Sequence, residues 1–156
     1  MRNGLIAISL VLIAGCVAGI YFYFIKDSEA YVTFKKFSIA RAYGRREEAM
    51  KYADNESLIG GPEEIRAQWA GGMPVDALTA ILYHLESQKE NGDGGVTLSV
   101  IQAVRFDPPG ATSAMGAMIS KYRQTADLKK TAAGWRVVSF NSEFVENRNW
   151  KGEKED

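Results

Sequence analysis

His84 is the only histidine among 156 residues, and imidazole is the side chain whose ordinary pKa best suits general acid–base work near neutral pH. An enzyme built on this chain would need His84, or an acid such as Asp107 or Asp127, to face a pocket. No acid stands beside His84 in the sequence. One histidine and one cysteine, Cys16, are too few for a zinc cluster. Neither a Gly-x-Gly-x-x-Gly, nor a phosphate loop, nor a Gly-x-Ser-x-Gly elbow occurs. The expectation is therefore no catalytic set, no metal and no cofactor. A different kind of site is legible in Gln102, Ser120, Gln124 and Ser142, which interrupt apolar rows on the inward faces of expected strands. Buried amides and hydroxyls need partners. They either bond to one another or line a small-molecule pocket.

The elements that would carry these groups follow a long apolar segment. Residues 4–25 contain no charge, and 22 residues of helix span the ~30 Å hydrocarbon core of a bilayer. Tyr21 and Tyr23, with Phe22 and Phe24 between and after them, then Lys26, form the aromatic belt and snorkelling base of an interfacial anchor. Residues 1–26 are thus read as a single-pass transmembrane anchor with the following domain on the periplasmic side, since a very short N-terminal tail before an apolar helix is the usual form of an export anchor. Gly15 and Gly19 are four apart, a spacing that lets a second helix approach closely in lipid. Ile13-Ala-Gly-Cys16 also resembles a bacterial lipobox, which implies a lipoprotein acylated at Cys16 as the alternative.

Charge narrows the partners. Bases and acids balance at 19 each, and beyond residue 25 the count is 18 to 19, or −1. A phosphate-gripping surface should be more basic than this, so nucleic acid is not expected. Next to the membrane, residues 26–51 hold seven bases and four acids, a net +3. That excess would favour anionic lipid headgroups.

The soluble part, residues 28–145, reads as one α+β domain. A helix over 28–43 has Ala30, Phe34 and Phe37 on one face and Val32, Ile39 and Tyr43 on the other, so it should be covered on both sides. Shorter helices are expected over 46–53 and 63–70, broken by Gly60-Gly-Pro62 and Gly71-Gly72. Val75, Leu78, Ile81, Leu82 and Leu85 fall on a helical stripe, which predicts a helix over 74–89. Gly92-Asp-Gly-Gly95 is then a flexible loop. From Val96 the period becomes two: Val96, Leu98, Val100, Val104 and Phe106 alternate with polar residues. Strands over 118–130 and 135–145 complete an antiparallel meander. Pairing Leu128 with Val138, Ala126 with Phe140 and Tyr122 with Phe144 gives a self-consistent register. Residues 146–156 form a polar tail.

Two local features carry a resemblance. Gly44-Arg-Arg-Glu-Glu-Ala-Met50 after an initial helix, and a closing hairpin with Gly134-Trp-Arg-Val-Val-Ser-Phe140, resemble the nuclear-transport-factor-two-like (cystatin-like, SnoaL-like) cone fold. That resemblance implies N-terminal helices packed on a curved antiparallel sheet, in a superfamily of enzymes, ligand binders and scaffolds. An anchor before such a domain also resembles the scaffold subunit of type IV secretion systems. The leading expectation is a non-catalytic, membrane-anchored accessory or scaffold subunit that contacts lipid and other membrane-protein subunits. The alternatives are a tethered small-molecule binder and a SnoaL-like enzyme.

Overall fold

The computed structural model of the chain describes residues 27–61, 69, 75–107 and 117–149. The apolar run with Gly15, Cys16, Gly19, Tyr21, Tyr23 and Lys26 lies outside the described residues, as do the 63–70 helix apart from Trp69 and the tail from residue 150. Among the described residues no helix is long and apolar enough to cross a membrane.

Helix α1 (Glu29–Ala42) starts where Ser28 caps it, the Ser28 hydroxyl accepting from the Tyr31 amide at 3.2 Å. It stops at Gly44, whose φ of +66° closes a Schellman turn. There the Arg45 amide donates to the Ala40 carbonyl at 2.8 Å, and the Gly44 amide to the Arg41 carbonyl at 3.0 Å. Helix α2 (Arg46–Met50) follows and is shorter than the 46–53 expected. Ala30, Phe34 and Phe37 are buried on α1, whereas Val32, Ile39 and Tyr43 on the other stripe are half-buried.

Four strands follow: β1 (Leu78–Glu90), β2 (Val96–Phe106), β3 (Met118–Thr131) and β4 (Gly134–Asn149). They form one antiparallel sheet in chain order. The domain is therefore α+β, with two helices on a four-stranded antiparallel sheet.

β1 corrects the helix expected over 74–89. Its apolar residues fit either period. Ile81, Tyr83 and Leu85 alternate toward the helix side, and the stripe residue Leu82 is left 71% exposed on the other. Thr79, Ile81 and Tyr83 are good strand formers, and eleven partners on β2 complete the ladder. The glycine stretch expected as a flexible loop is instead the tight turn of this hairpin, where the Asn91 amide donates to the Gly95 carbonyl at 2.8 Å. A Cβ at Gly95 would stand 2.9 Å from the Leu128 carbonyl oxygen on β3, so the backbone there needs glycine.

The β3–β4 register pairs Ala126 with Phe140 and Tyr122 with Phe144 as the alternation predicts, but Leu128 with Val137 rather than Val138. A bulge between Asp127 and Leu128 slips the strand by one residue, so Val137 is buried and Val138 only half-buried. A second bulge, between Lys121 and Tyr122, lets β4 run to Asn149, four residues past the boundary expected at residue 145. Phe144 sits on this edge strand beyond the reach of α1. It packs edge-on against Tyr122 and remains 52% exposed rather than entering the core.

The core has two apolar clusters. Phe34, Phe37, Leu98, Val100, Ala126, Leu128 and Val137 fill the end where α1 begins. Ala42, Trp69, Val104, Phe106 and Tyr122 fill the end where it stops.

Candidate functional site

Between these clusters lies a belt of buried polar groups. On β2, Gln102 stands between Val100 and Val104; on β3, Gln124 stands between Tyr122 and Ala126. The register places Gln102 opposite Tyr122 and Gln124 opposite Val100, which makes the two amides diagonal neighbours on the inner face. Ser38 reaches down from α1, and Tyr83 reaches in from β1.

The four side chains close a ring of hydrogen bonds. Gln124 Nε2 donates to Gln102 Oε1 at 2.8 Å, and Gln102 Nε2 donates to the Tyr83 hydroxyl at 3.1 Å. Tyr83 donates to Ser38 Oγ at 3.0 Å, and Ser38 donates to Gln124 Oε1 at 2.9 Å. Each member donates once and accepts once around the ring. Gln102 is 1% exposed, Gln124 3% and Ser38 2%, so the Gln124–Gln102 and Ser38–Gln124 bonds are buried, while the two bonds of Tyr83 are part-buried. Burial pushes the Tyr83 phenol up to about 12, against the opposing pull of its hydrogen bonds with Ser38 and Gln102. Tyr83 is thus a neutral donor at any physiological pH.

Of the inward polar residues expected from the sequence, Gln102 and Gln124 are brought together in this ring. Ser142 joins them around a cavity of about 10 Å³, also lined by Ser38, Arg41 and Trp69. Space of that size admits about one water molecule. Ser120 is buried elsewhere, where its hydroxyl donates to Asn147 Oδ1 at 2.7 Å. The Trp69 indole N–H is buried with no hydrogen-bond partner among the described residues, although its ring packs edge-on against Tyr122 and Phe106 at 5.3 and 5.6 Å.

The residues weighed for acid–base chemistry do not converge. His84 is exposed on the outer face of β1, opposite Ile101. Asp127 faces outward on β3 and accepts from Thr97 Oγ1 at 2.6 Å. Asp107 follows the end of β2, where a hydrogen bond from Thr79 and then the Arg105 guanidinium hold its carboxyl below the usual range. Projected on β2, their positions are 97, 101 and 107, which at ~3.3 Å per residue separates neighbours by roughly 13 and 20 Å. The outer face also carries ion pairs: Glu86 with Arg123 at 3.3 Å, and Glu146 with Lys121 at 2.8 Å and Arg148 at 3.0 Å. Among the described residues, no three His, Cys, Asp or Glu side chains come together as metal ligands.

Ser38 and Tyr83 were not legible as site residues. Ser38 lies on a helix whose two apolar stripes do not include it, and Tyr83 falls in the stretch 74–89, expected as a helix, that is a strand. The strand-forming run Thr79-Ala-Ile-Leu-Tyr83 ahead of Asn91-Gly92 is the signal that could have found the second.

No family model matches the sequence, no curated protein matches it, and no solved structure matches the fold.

Proposed function

We propose that this chain is a membrane-anchored, non-catalytic accessory or scaffold subunit of a larger membrane complex, its α+β domain held on the periplasmic side by residues 1–26. The observation that carries the reading is the use made of the inner-face polar groups. Ser38, Tyr83, Gln102 and Gln124 are bonded to one another rather than turned toward a cleft. A 22-residue uncharged run ending three positions before Ser28 supplies the tether. Gly15 and Gly19 give it a face for packing against a partner helix. The cone-fold resemblance agrees with α1 lying across one face of a bulged antiparallel meander. Solubilised gently from native membranes, the protein should co-purify with other subunits. A monodisperse monomer would refute the proposal, and the mass of the N-terminal peptide decides between a spanning helix and acylation at Cys16.

One observation favours a second reading, a tethered binder of a small polar molecule. Trp69 carries a buried, unpartnered donor and lines the same cavity as Gln102, Gln124 and Ser142. A thermal-shift screen of the wild type against Gln124→Leu tests it. Ligands that stabilise only the wild type would support a binder, and a screen without any such ligand would remove it.

A further inference from the structure

We infer that the end of the sheet bearing the two hairpin turns, Asn91–Gly95 and Thr131–Gly134, is the face of the domain that rests against the lipid headgroups. This rests on the anchor reading above and adds an orientation that the reading alone does not contain. The register sorts the sheet into two ends. Glu90, Val96, Leu128 and Val137 lie at one, and Leu78, Phe106, Met118 and Asn149 at the other. Helix α1 begins at the first of these. Ser28 Oγ donates to Gln88 Oε1 on β1 at 2.6 Å, which ties the helix start to the strand just before its turn. A shallow cleft of about 380 Å³ at this end is shared by Ser28, Ala30, Gln88, Gly94, Lys130 and Trp135.

The tether then leaves little freedom. Only Lys26 and Asp27 separate Ile25 from the helix cap, and three residue steps reach at most about 11 Å. Asp27 is itself paired with Lys35 on α1. Both turns must therefore stay close to the end of the apolar run. The opposite end of β2 lies about 33 Å farther away along its eleven residues.

The side chains at the near end suit an interface. Trp135 is half-buried with the Lys130 ammonium 6.0 Å above its ring, an amphipathic ring beside a base able to snorkel. Lys89, Lys129 and Lys130 are matched there by Glu29, Glu90 and Asp93, and Lys129 is paired with Asp93 at 3.1 Å. With charges of both signs interspersed there, the tether is what holds the surface down. The occupant is the headgroup layer of a bilayer of any charge.

The test uses the full chain carrying Cys16→Ser, reconstituted in phosphatidylcholine vesicles, with one new cysteine for a fluorophore. Ala132→Cys marks the β3–β4 turn, and Arg148→Cys marks the far end of β4; both lie outside the two core clusters. A headgroup-attached spin label should quench the fluorophore at 132 about threefold or more over that at 148, given separations from the surface of about 10 and 40 Å. The ratio should not change when anionic lipid is added. Equal quenching, or stronger quenching at 148, in protein that resists alkaline carbonate extraction would overturn the orientation alone. Release of the protein by alkaline carbonate would overturn the anchor and the orientation together.

Discussion

Replacing Gln124 with leucine should destabilise the domain far more when made alone than when Gln102 is replaced as well. Gln124→Leu removes the donor to Gln102 Oε1 and the acceptor for the Ser38 hydroxyl, leaving two polar groups unpaired at positions 1% and 2% exposed. Each such orphan costs about 1–3 kcal/mol, and the gain in apolar burial offsets only part of it, so a net loss of about 2–4 kcal/mol is expected. Gln102→Leu strands Gln124 Nε2 and removes a donor from the Tyr83 hydroxyl, for about 1–3 kcal/mol. In the double variant both amides are gone, while Tyr83 and Ser38 still bond to each other at 3.0 Å. Its loss should be about 1–3 kcal/mol, which leaves a coupling energy of about 3 kcal/mol between the two sites. Urea unfolding of the full chain in detergent, followed by tryptophan fluorescence, measures all four corners of the cycle. A domain of this size has roughly 5–15 kcal/mol in hand, so the single variants should still fold. Additivity within about 0.5 kcal/mol would refute the closed ring, because independent amides leave nothing to share.

Tyr83→Phe should alter the pH dependence of stability in one direction. The phenol is raised from its ordinary value of 10.0 to about 12, so the folded state resists its ionisation, and the stability it contributes is present below pH 10 and lost as pH rises toward 12. The wild-type-minus-variant difference should fall by about 1.4 kcal/mol between pH 9 and pH 11, and a flat difference would remove Tyr83 from the buried ring. Gly95→Ala should lower Tm by about 5 °C or more, because its Cβ meets the backbone oxygen of Leu128 rather than a movable side chain; an unchanged melt would contradict that close approach. Ser28→Ala removes both the cap of α1 and the bond to Gln88, for about 1 kcal/mol from the cap. Hydrogen exchange should then speed up first at the Tyr31 amide, and unchanged protection there would deny the cap its role.

Much of the sheet was legible in sequence because β2 and β3 alternate strictly. Val96, Leu98, Val100, Val104 and Phe106 are all buried as their period predicts, and so are Tyr122, Ala126 and Leu128. β1 was misread because Leu78, Ile81, Leu82 and Leu85 lie on a helical stripe while Ile81, Tyr83 and Leu85 also alternate, and only pairing with β2 decides between the two periods. The bulge beside Leu128 was illegible for a simpler reason. Val137 and Val138 are the same residue type, so nothing local says which of them faces inward. The inward amides could be listed from the alternation, but not what they bond to. Two of the four ring members come from α1 and β1, whose placement on the sheet is a tertiary fact.

The ring also explains how a helix apolar on two sides acquires a single position. A slide of α1 by one turn, 5.4 Å, would bring Phe34 or Ala42 to the level of Ser38, an apolar group in place of a polar one. Such a slide would leave Gln124 Oε1 without the Ser38 donor and Tyr83 without its acceptor, at about 1–3 kcal/mol for each buried orphan. The polar belt between the two apolar clusters therefore adds a directional constraint along the helix axis, beside the Ser28–Gln88 bond at its start. Because α1 begins four positions after the apolar run, the same bonds limit how far the hairpin turns can stand from the end of that run. For the scaffold role proposed above, a defined height above the bilayer would let a partner surface meet its counterpart. A buried polar ring serves that purpose better than an all-apolar interface of equal stability.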